Sequence, residues 1–176
     1  MFFYMTLDKE IVLHPKYFGP RLRQALMEKL YTEVEGTCDG ERGFIVAITS
    51  LSEEHLGRGR LMAGKGLVSY HVQYQAVVFR PVKGEVMDAI VTVVNKMGFF
   101  AEAGPISIFV SQVGGMPSEY SFDVTSNPPC FKSADMTIGA ITVGSQVRLR
   151  IAGMRIDAES ITTVGTIKDD YLGFIA

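Results

Sequence analysis

The chain has 176 residues, of which 47% are hydrophobic and 20% charged, and its formal net charge is −2. This composition is ordinary for a globular protein and excludes both a disordered chain and a strongly basic nucleic-acid binder. Two distant cysteines and three scattered histidines give neither a disulfide framework nor metal-ligand spacing. No apolar run is long enough to span a bilayer. We therefore expect a soluble intracellular protein without metal, cofactor or membrane partner.

Apolar periodicity divides the first 80 residues into recognisable elements. Alternation over residues 3–8 predicts a first strand, and apolar residues at helical spacing predict a helix over about 20–34. Residues 44–51 predict a second strand. Residues 68–78 alternate most regularly, so we expect a long, half-buried strand there with an unpaired edge.

A domain boundary is predicted at Arg80-Pro81, where proline interrupts the strand pattern and an all-β pattern begins. The two predicted domains are residues 1–80 and 81–176. The strands expected in the second domain span residues 85–95, 99–103, 106–111, 146–157 and 160–167, with an irregular insertion between 112 and 137. Short strands separated by turns, without a clear helix, indicate a small barrel and an α+β protein.

The glycine-rich segment over residues 52–66 predicts a loop. Within it, Gly59 to Lys65 matches the glycine and lysine spacing of a phosphate-binding loop. The next residue is Gly66, which lacks the hydroxyl that would hold magnesium, and a strand follows where the motif requires a helix. The segment is therefore interpreted as a hairpin tip.

The predicted barrel carries residues suited to single-stranded RNA. Phe109 lies between two serines on one face of its strand, and Phe100 has a similar position on the preceding strand. Arg148 and Arg150 lie on one face of the predicted strand over 146–157, opposite the face that carries its apolar residues. Aromatic rings stack on bases and guanidinium groups bind phosphates, which favours an RNA-binding surface. The alternative is that both rings complete a small core under a loop and both arginines pair with acids.

No catalytic constellation emerges from the sequence. The adjacent acid pairs Glu53-Glu54 and Asp169-Asp170 are typical of solvated surface, since catalytic carboxylates usually converge from separate positions. No serine–histidine–aspartate or cysteine–histidine set has a local signature. The pattern favours a protein without an active site of its own.

Seven motifs in order resemble the family of larger stalk subunits of nuclear RNA polymerases, which also has archaeal members, and the resemblance is closest to RNA polymerase II. They are Leu13-His14-Pro15, Tyr17-Phe18-Gly19-Pro20, Val34-Glu35-Gly36-Thr37-Cys38, Val78-Phe79-Arg80-Pro81, Lys83-Gly84-Glu85-Val86, Val94-Asn95-Lys96-Met97-Gly98-Phe99-Phe100 and Asp169-Asp170-Tyr171-Leu172-Gly173. The resemblance implies a truncated ribonucleoprotein-like polymerase-docking domain over 1–80 and an oligonucleotide-binding (OB-fold) barrel over 81–176. It also implies a nuclear protein.

The resemblance implies partners as well: a smaller helical stalk subunit, the polymerase core with its largest subunit and a small shared subunit, and nascent single-stranded RNA. Lys96 joins the candidate RNA-binding residues. In this kind of barrel the positions of Met97 and Ser111 often carry an aromatic residue and histidine. Their absence, with a net charge of −3 over residues 81–176, predicts weak RNA contact supported by tethering near the RNA exit.

The glycine-rich tip is the predicted contact with the polymerase core. Its candidate docking residues are Gly57, Arg58, Gly59, Arg60, Leu61, Met62, Gly64 and Lys65. Glycines permit close backbone approach, the basic side chains suit an acidic cleft, and two apolar side chains supply an anchor. Two other functions stay open: the equivalent subunit of polymerase III or of a plant-specific polymerase, and a free RNA-binding regulator.

Overall fold

The computed structural model describes residues 1–52, 59–126, 128–134 and 139–175. The chain separates into two compact units, Met1–Arg80 and Pro81–Ala176. We call them the sheet unit and the barrel unit. Among the described residues, no helix is both long and apolar enough to cross a membrane.

The sheet unit consists of an antiparallel sheet and helix α1. Its elements are β1 (Phe2–Leu13), a 3-10 turn (Pro15–Tyr17), α1 (Leu22–Val34), β2 (Cys38–Asp39), β3 (Gly43–Leu51), β4 (Gly59–Met62) and β5 (Leu67–Phe79). The predicted helix and three predicted strands all form, although β1 extends five residues beyond the predicted end at residue 8. Strand β4 lies in the segment that was predicted to be a loop.

Strand β5 is the centre of this sheet. It pairs with β1 over residues 68–79 on one side and with β3 and β4 on the other. The prediction that this long strand has an unpaired edge is therefore wrong. Alternation along a strand reports which side chains are buried on each face, and it carries no information on neighbouring strands. Among the described residues, β1 has a neighbouring strand on one side only.

Helix α1 covers one face of the sheet. Its apolar residues recur every four positions, so that Leu26, Leu30 and Val34 are buried in one core cluster with sheet residues such as Ile11 and Tyr74. Each buried leucine contributes about 1.5–3 kcal/mol of hydrophobic stabilisation. The core therefore lies between α1 and a single face of the sheet.

The barrel unit is built mainly from strands. They are β6 (Val86–Asn95), β7 (Gly98–Ala103), β8 (Ile106–Ser111), β9 (Tyr120–Asp123), β10 (Cys130–Ser133), β11 (Gln146–Ile156), β12 (Ile161–Thr166) and β13 (Gly173–Phe174), with the one-turn helix α2 (Gln112–Gly115) after β8. The five predicted strands are all present. The predicted irregular insertion contains α2 and the β9–β10 hairpin.

Within the described residues, five strands close into a barrel. The hydrogen-bonded order is β6–β7–β8–β12–β11, and β11 returns to β6. All pairings are antiparallel except that of β8 with β12. Phe99, Ile108 and Leu149 point inward and are fully buried. The arrangement confirms the predicted OB-fold and the α+β class.

Candidate nucleic-acid and docking surfaces

The predicted aromatic pair comes together on the outside of the barrel. Phe100 and Phe109 are cross-strand partners, and their ring centroids lie 4.8 Å apart at an interplanar angle of 43°. Phe100 also pairs with Val93 on β6, and Phe109 pairs with Val164 on β12. An apolar row therefore crosses four strands, with Phe100 37% exposed at its middle. One exposed ring beside a partly exposed one, Phe109, can stack on bases.

The two arginines of the predicted site each contact a carboxylate. Arg148 donates from Nε to Oδ1 of Asp88 at 2.7 Å and from Nη2 to Oδ2 at 3.0 Å. Arg150 contacts Oδ2 of Asp169 through Nη1 at 2.8 Å. The hydrogen bond from Arg148 lowers the pKa of Asp88, and the same bond raises the pKa of Arg148. The alternative in which both arginines pair with acidic residues is therefore what the structure contains.

The arginines lie apart from the aromatic pair. Phe109 pairs with Val164 on β12, whereas Arg150 on β11 pairs with Thr166 two residues further along that strand. Arg150 is thus two strands from Phe109, which corresponds to about 10 Å between backbones. Arg148 lies further along β11, away from the β12 pairing. The surface consists of an aromatic part and a separate arginine part.

Lys96 occupies the turn that joins β6 to β7, at the end of the strand that carries Phe100. Asn95 pairs with Gly98, which leaves Lys96 and Met97 as a two-residue connection. Both side chains are exposed, Met97 to 77%. Lys96 can therefore supply positive charge near the aromatic part of the surface.

The predicted docking tip forms a hairpin between β4 and β5. Leu61 is 70% exposed, Met62 is half-buried, and Arg60, Gly64 and Lys65 are exposed. Gly57 and Arg58 lie outside the described residues. The described part of the tip presents one large apolar side chain with basic neighbours, as an anchor for another surface would.

Gly59 has a structural task within this hairpin. A Cβ atom at this position would lie 2.5 Å from Cγ1 of Val68 and 2.8 Å from the ring of Tyr70. Non-bonded Cβ atoms do not approach other carbon atoms this closely, so a side chain at residue 59 would force Val68 or Tyr70 to move and would disturb the packing of β4 on β5. We assign Gly59 to hairpin packing, whereas Leu61 and Lys65 point to the outside.

The exposed aromatic residues on the sheet face opposite α1 were not identified from the sequence. Phe2 is 64% exposed and Tyr4 62% exposed, and the Phe2 ring contacts Phe79 with centroids 5.0 Å apart. The Tyr4 hydroxyl donates to Oε1 of Gln75 at 2.6 Å. The available signal was the placement of Phe2 and Tyr4 at alternate positions of the first strand. The carboxylates that pair with the arginines were likewise missed.

No group of metal-ligating side chains occurs among the described residues. The chain is 49% identical over 175 residues to "DNA-directed RNA polymerase II subunit rpb7" of Dictyostelium discoideum, covering 99% of both chains. It is also 49% identical over 175 residues to "DNA-directed RNA polymerase II subunit RPB7" of Glycine max, covering 99% of this chain and 97% of that one.

The chain belongs to the Rpb7 family.

The Rpb7 assignment agrees with a match over residues 10–66 to the "SHS2 domain found in N terminus of Rpb7p/Rpc25p/MJ0397". A more distant relative is "DNA-directed RNA polymerase V subunit 7" of Arabidopsis thaliana. It is 28% identical over 151 residues, covering 86% of this chain and 83% of that one. The Rpb7-family similarity therefore extends across both units of the chain.

Proposed function

We propose that this chain is a non-catalytic stalk subunit of RNA polymerase II. In this role it pairs with a smaller helical subunit, docks on the polymerase core through the β4–β5 hairpin, and contacts nascent RNA through the barrel. The observation that carries the proposal is 49% identity over 99% of the chain to a relative named as an RNA polymerase II subunit. The proposal places the protein in the nucleus.

Two of the alternative functions, a plant-specific polymerase subunit and a free RNA-binding regulator, receive less support. Identity to the RNA polymerase V relative is 28%, well below the 49% found with two RNA polymerase II relatives. A free RNA-binding regulator would have no need for the exposed hairpin or for the exposed Phe2 and Tyr4 on the sheet unit. These features support a subunit that is assembled with other proteins.

The sheet unit supports the proposed pairing with a smaller subunit. Strand β1 has a neighbouring strand on one side only among the described residues, and it carries the exposed Phe2 and Tyr4 near its start. An unpaired strand edge beside exposed rings favours association with another chain. We therefore expect the isolated chain to aggregate unless its partner is co-expressed.

The barrel supports the proposed RNA contact. Phe100 and Phe109 offer neighbouring rings for base stacking. Lys96 offers positive charge in the turn that precedes β7, the strand of Phe100. The barrel unit has a net charge of −3, which opposes long-range attraction of RNA. A weak site is sufficient if the protein is held where RNA emerges, because tethering raises the effective RNA concentration.

Affinity purification of the tagged full-length chain tests the proposal. The wild type should recover the largest subunit of RNA polymerase II together with a smaller helical subunit. Replacing Leu61 and Met62 by aspartate should lose the polymerase core and keep the smaller subunit, because charge replaces the apolar anchor of the hairpin. Val124→Asp is the matched control, since Val124 is 74% exposed but lies in the barrel unit.

Two results would contradict the proposal. Recovery of another polymerase's largest subunit would assign the chain to that enzyme. Unchanged recovery of the polymerase core by the Leu61→Asp, Met62→Asp variant would exclude the hairpin as the docking element. Loss of the core in the Val124→Asp control would show that any added surface charge disrupts the assembly.

A further inference from the structure

The arginine part of the barrel surface is already occupied by the protein's own carboxylates. Arg148 uses Nε and one Nη nitrogen to hold both oxygens of Asp88. This is the edge of a guanidinium group that takes a phosphate in bidentate contact. Arg150 uses a terminal nitrogen on Asp169. A phosphate can take this bidentate edge of Arg148 only by displacing the Asp88 carboxylate, whereas at Arg150 it competes with Asp169 for the N–H groups of one guanidinium.

Both ion pairs are accessible to such an exchange. The side chains of Arg148 and Asp88 are 46% and 54% exposed, and those of Arg150 and Asp169 are 42% and 44% exposed. Ion pairs at this exposure are weak because water and salt screen them. They reduce the availability of the arginines without removing it.

We propose that Asp88 and Asp169 are affinity-setting residues of the RNA site, which act by competing with RNA phosphates for Arg148 and Arg150. This inference rests on the proposed RNA contact of the barrel and adds the determinant of its strength. The competition keeps RNA binding weak, so that the chain holds RNA only where another interaction supplies a high local concentration.

The two ion pairs differ in the number of hydrogen bonds that join carboxylate and arginine, and we expect the effects of removing each carboxylate to differ accordingly. Asp88 holds Arg148 through two hydrogen bonds across neighbouring strands, since residues 88 and 148 are cross-strand partners. The contact between Arg150 and Asp169 joins β11 to the segment after β12 through one short distance. We therefore expect removal of the Asp88 carboxylate to have the larger effect on RNA affinity.

The test measures binding of a labelled single-stranded RNA of about 12 nucleotides to the full-length chain in its purified complex, a length within the usual site size of an OB fold. Asp88→Asn should tighten binding about two- to fivefold, and Asp169→Asn should tighten it less. Freeing Arg148 adds a phosphate contact, so the plot of log affinity against log salt concentration should steepen by about 0.7 for Asp88→Asn.

A double-mutant cycle separates competition from a general change in charge. In an Arg148→Ala background, Asp88→Asn should leave RNA affinity unchanged, because the residue through which Asp88 acts is absent. Asp157→Asn is the matched control. It removes the same charge from the barrel unit, and Asp157 contacts Arg155 instead of either arginine of the site.

The outcomes distinguish this inference from the proposed function. If Arg148→Ala weakens RNA binding but Asp88→Asn does not tighten it, the inference is overturned and the RNA contact stands. Equal tightening by Asp88→Asn with and without Arg148, or equal tightening by Asp157→Asn, also overturns it. If Arg148→Ala and Arg150→Ala leave RNA affinity unchanged, both the arginine contact and the inference fail.

Discussion

The two units of this chain differ in whether their outermost strands are paired on both sides. In the barrel unit, β11 pairs with both β6 and β12, so the five-stranded ring closes on itself. In the sheet unit, β1 runs for 12 residues with a strand neighbour on one side only among the described residues. Closure removes the template for strand addition, whereas an open edge keeps it. Protein association is thus expected of the sheet unit, and the outer face of the barrel is left for ligands.

In the sheet unit, two side chains from α1 and its C-terminal end form hydrogen bonds with backbone groups of β1 and β3. Lys29 on α1 donates to the carbonyl oxygen of Val12 near the end of β1, at 2.5 Å. On the opposite side, the Glu35 carboxylate accepts a hydrogen bond from the backbone nitrogen of Ile48 on β3 at 2.9 Å. Both covering residues come from α1 or its end. The beginning of β1, with Phe2 and Tyr4, is the portion most suited to a partner.

The largest expected effect compares the two faces of the barrel. Phe99→Ala should lower the free energy of unfolding by about 3–5 kcal/mol, because its ring is fully buried inside the closed ring of strands. Phe109→Ala should lower it by only about 1–2 kcal/mol, since that ring is on the outer face and partly exposed. Phe109→Ala should also weaken RNA binding at least about fivefold. Thermal unfolding and RNA affinity are measured on the same samples.

A stability loss for Phe109→Ala as large as that for Phe99→Ala would make Phe109 a core residue. Unchanged RNA affinity per folded molecule would then complete the case against a stacking platform. Phe109→Leu provides the control for apolar packing, because it keeps much of the buried surface and removes the aromatic ring. The stacking hypothesis requires that Phe109→Leu loses RNA affinity while keeping most of the stability.

A smaller effect is expected where the sheet unit covers its own edge. Glu35→Ala removes the acceptor of the Ile48 amide and should destabilise the sheet unit by about 1–2 kcal/mol. Glu28→Ala is the matched control, because Glu28 is also an exposed acidic residue of the helical segment, and its carboxylate accepts a hydrogen bond from Gln24 at 3.1 Å and from neither sheet edge. It should change stability by less than about 0.5 kcal/mol. Denaturant unfolding of both variants checks the difference, and equal effects would show that covering this amide is unimportant.

Strands and barrel were predictable because periodicity reports burial directly. The alternation of residues 68–78 correctly predicted a strand, but its central position depends on pairing with β1 and β3, which are distant in sequence. The sequence predicts a loop where β4 forms, because glycine usually marks turns and loops. At Gly59 the absence of a side chain instead permits close packing on Val68 and Tyr70.

The candidate site shows the same limit. Outward positions of Phe100 and Phe109 followed from alternation along single strands, and the structure brings the two rings into contact. Whether Arg148 was free or paired could not be read from the sequence, because Asp88 is 60 residues away and meets it only through the register of β6 with β11. Contacts that depend on register require the fold.

The smallest expected effect concerns the β9–β10 hairpin, a part of the barrel unit that lies outside the closed ring. Two-stranded hairpins are marginal by themselves, so local contacts must hold this one. The Asp123 carboxylate accepts hydrogen bonds from Lys132 Nζ at 2.6 Å, from the Thr125 backbone nitrogen at 2.8 Å and from Ser126 Oγ at 2.9 Å. Led by the bond from Lys132, these contacts hold the pKa of Asp123 far below its usual range.

A lowered pKa in the folded state means that the hairpin contacts stabilise the protein above the unfolded pKa of aspartate, about 4. That contribution is lost as pH falls below this value through the folded pKa, so near neutral pH the hairpin should be insensitive to pH. A carboxyl titration of Asp123 followed by NMR should show a midpoint well below 4, with hairpin signals changing over the same range. Lys132→Met should move the midpoint back toward the usual value, because it removes the leading donor.

A wild-type midpoint near 4, or one unaffected by Lys132→Met, would mean that strand pairing and the buried Phe131 hold the hairpin without the carboxylate. The hairpin would then resemble the closed ring, which is held by backbone pairing and apolar burial, more than it resembles the open sheet with its side-chain covers.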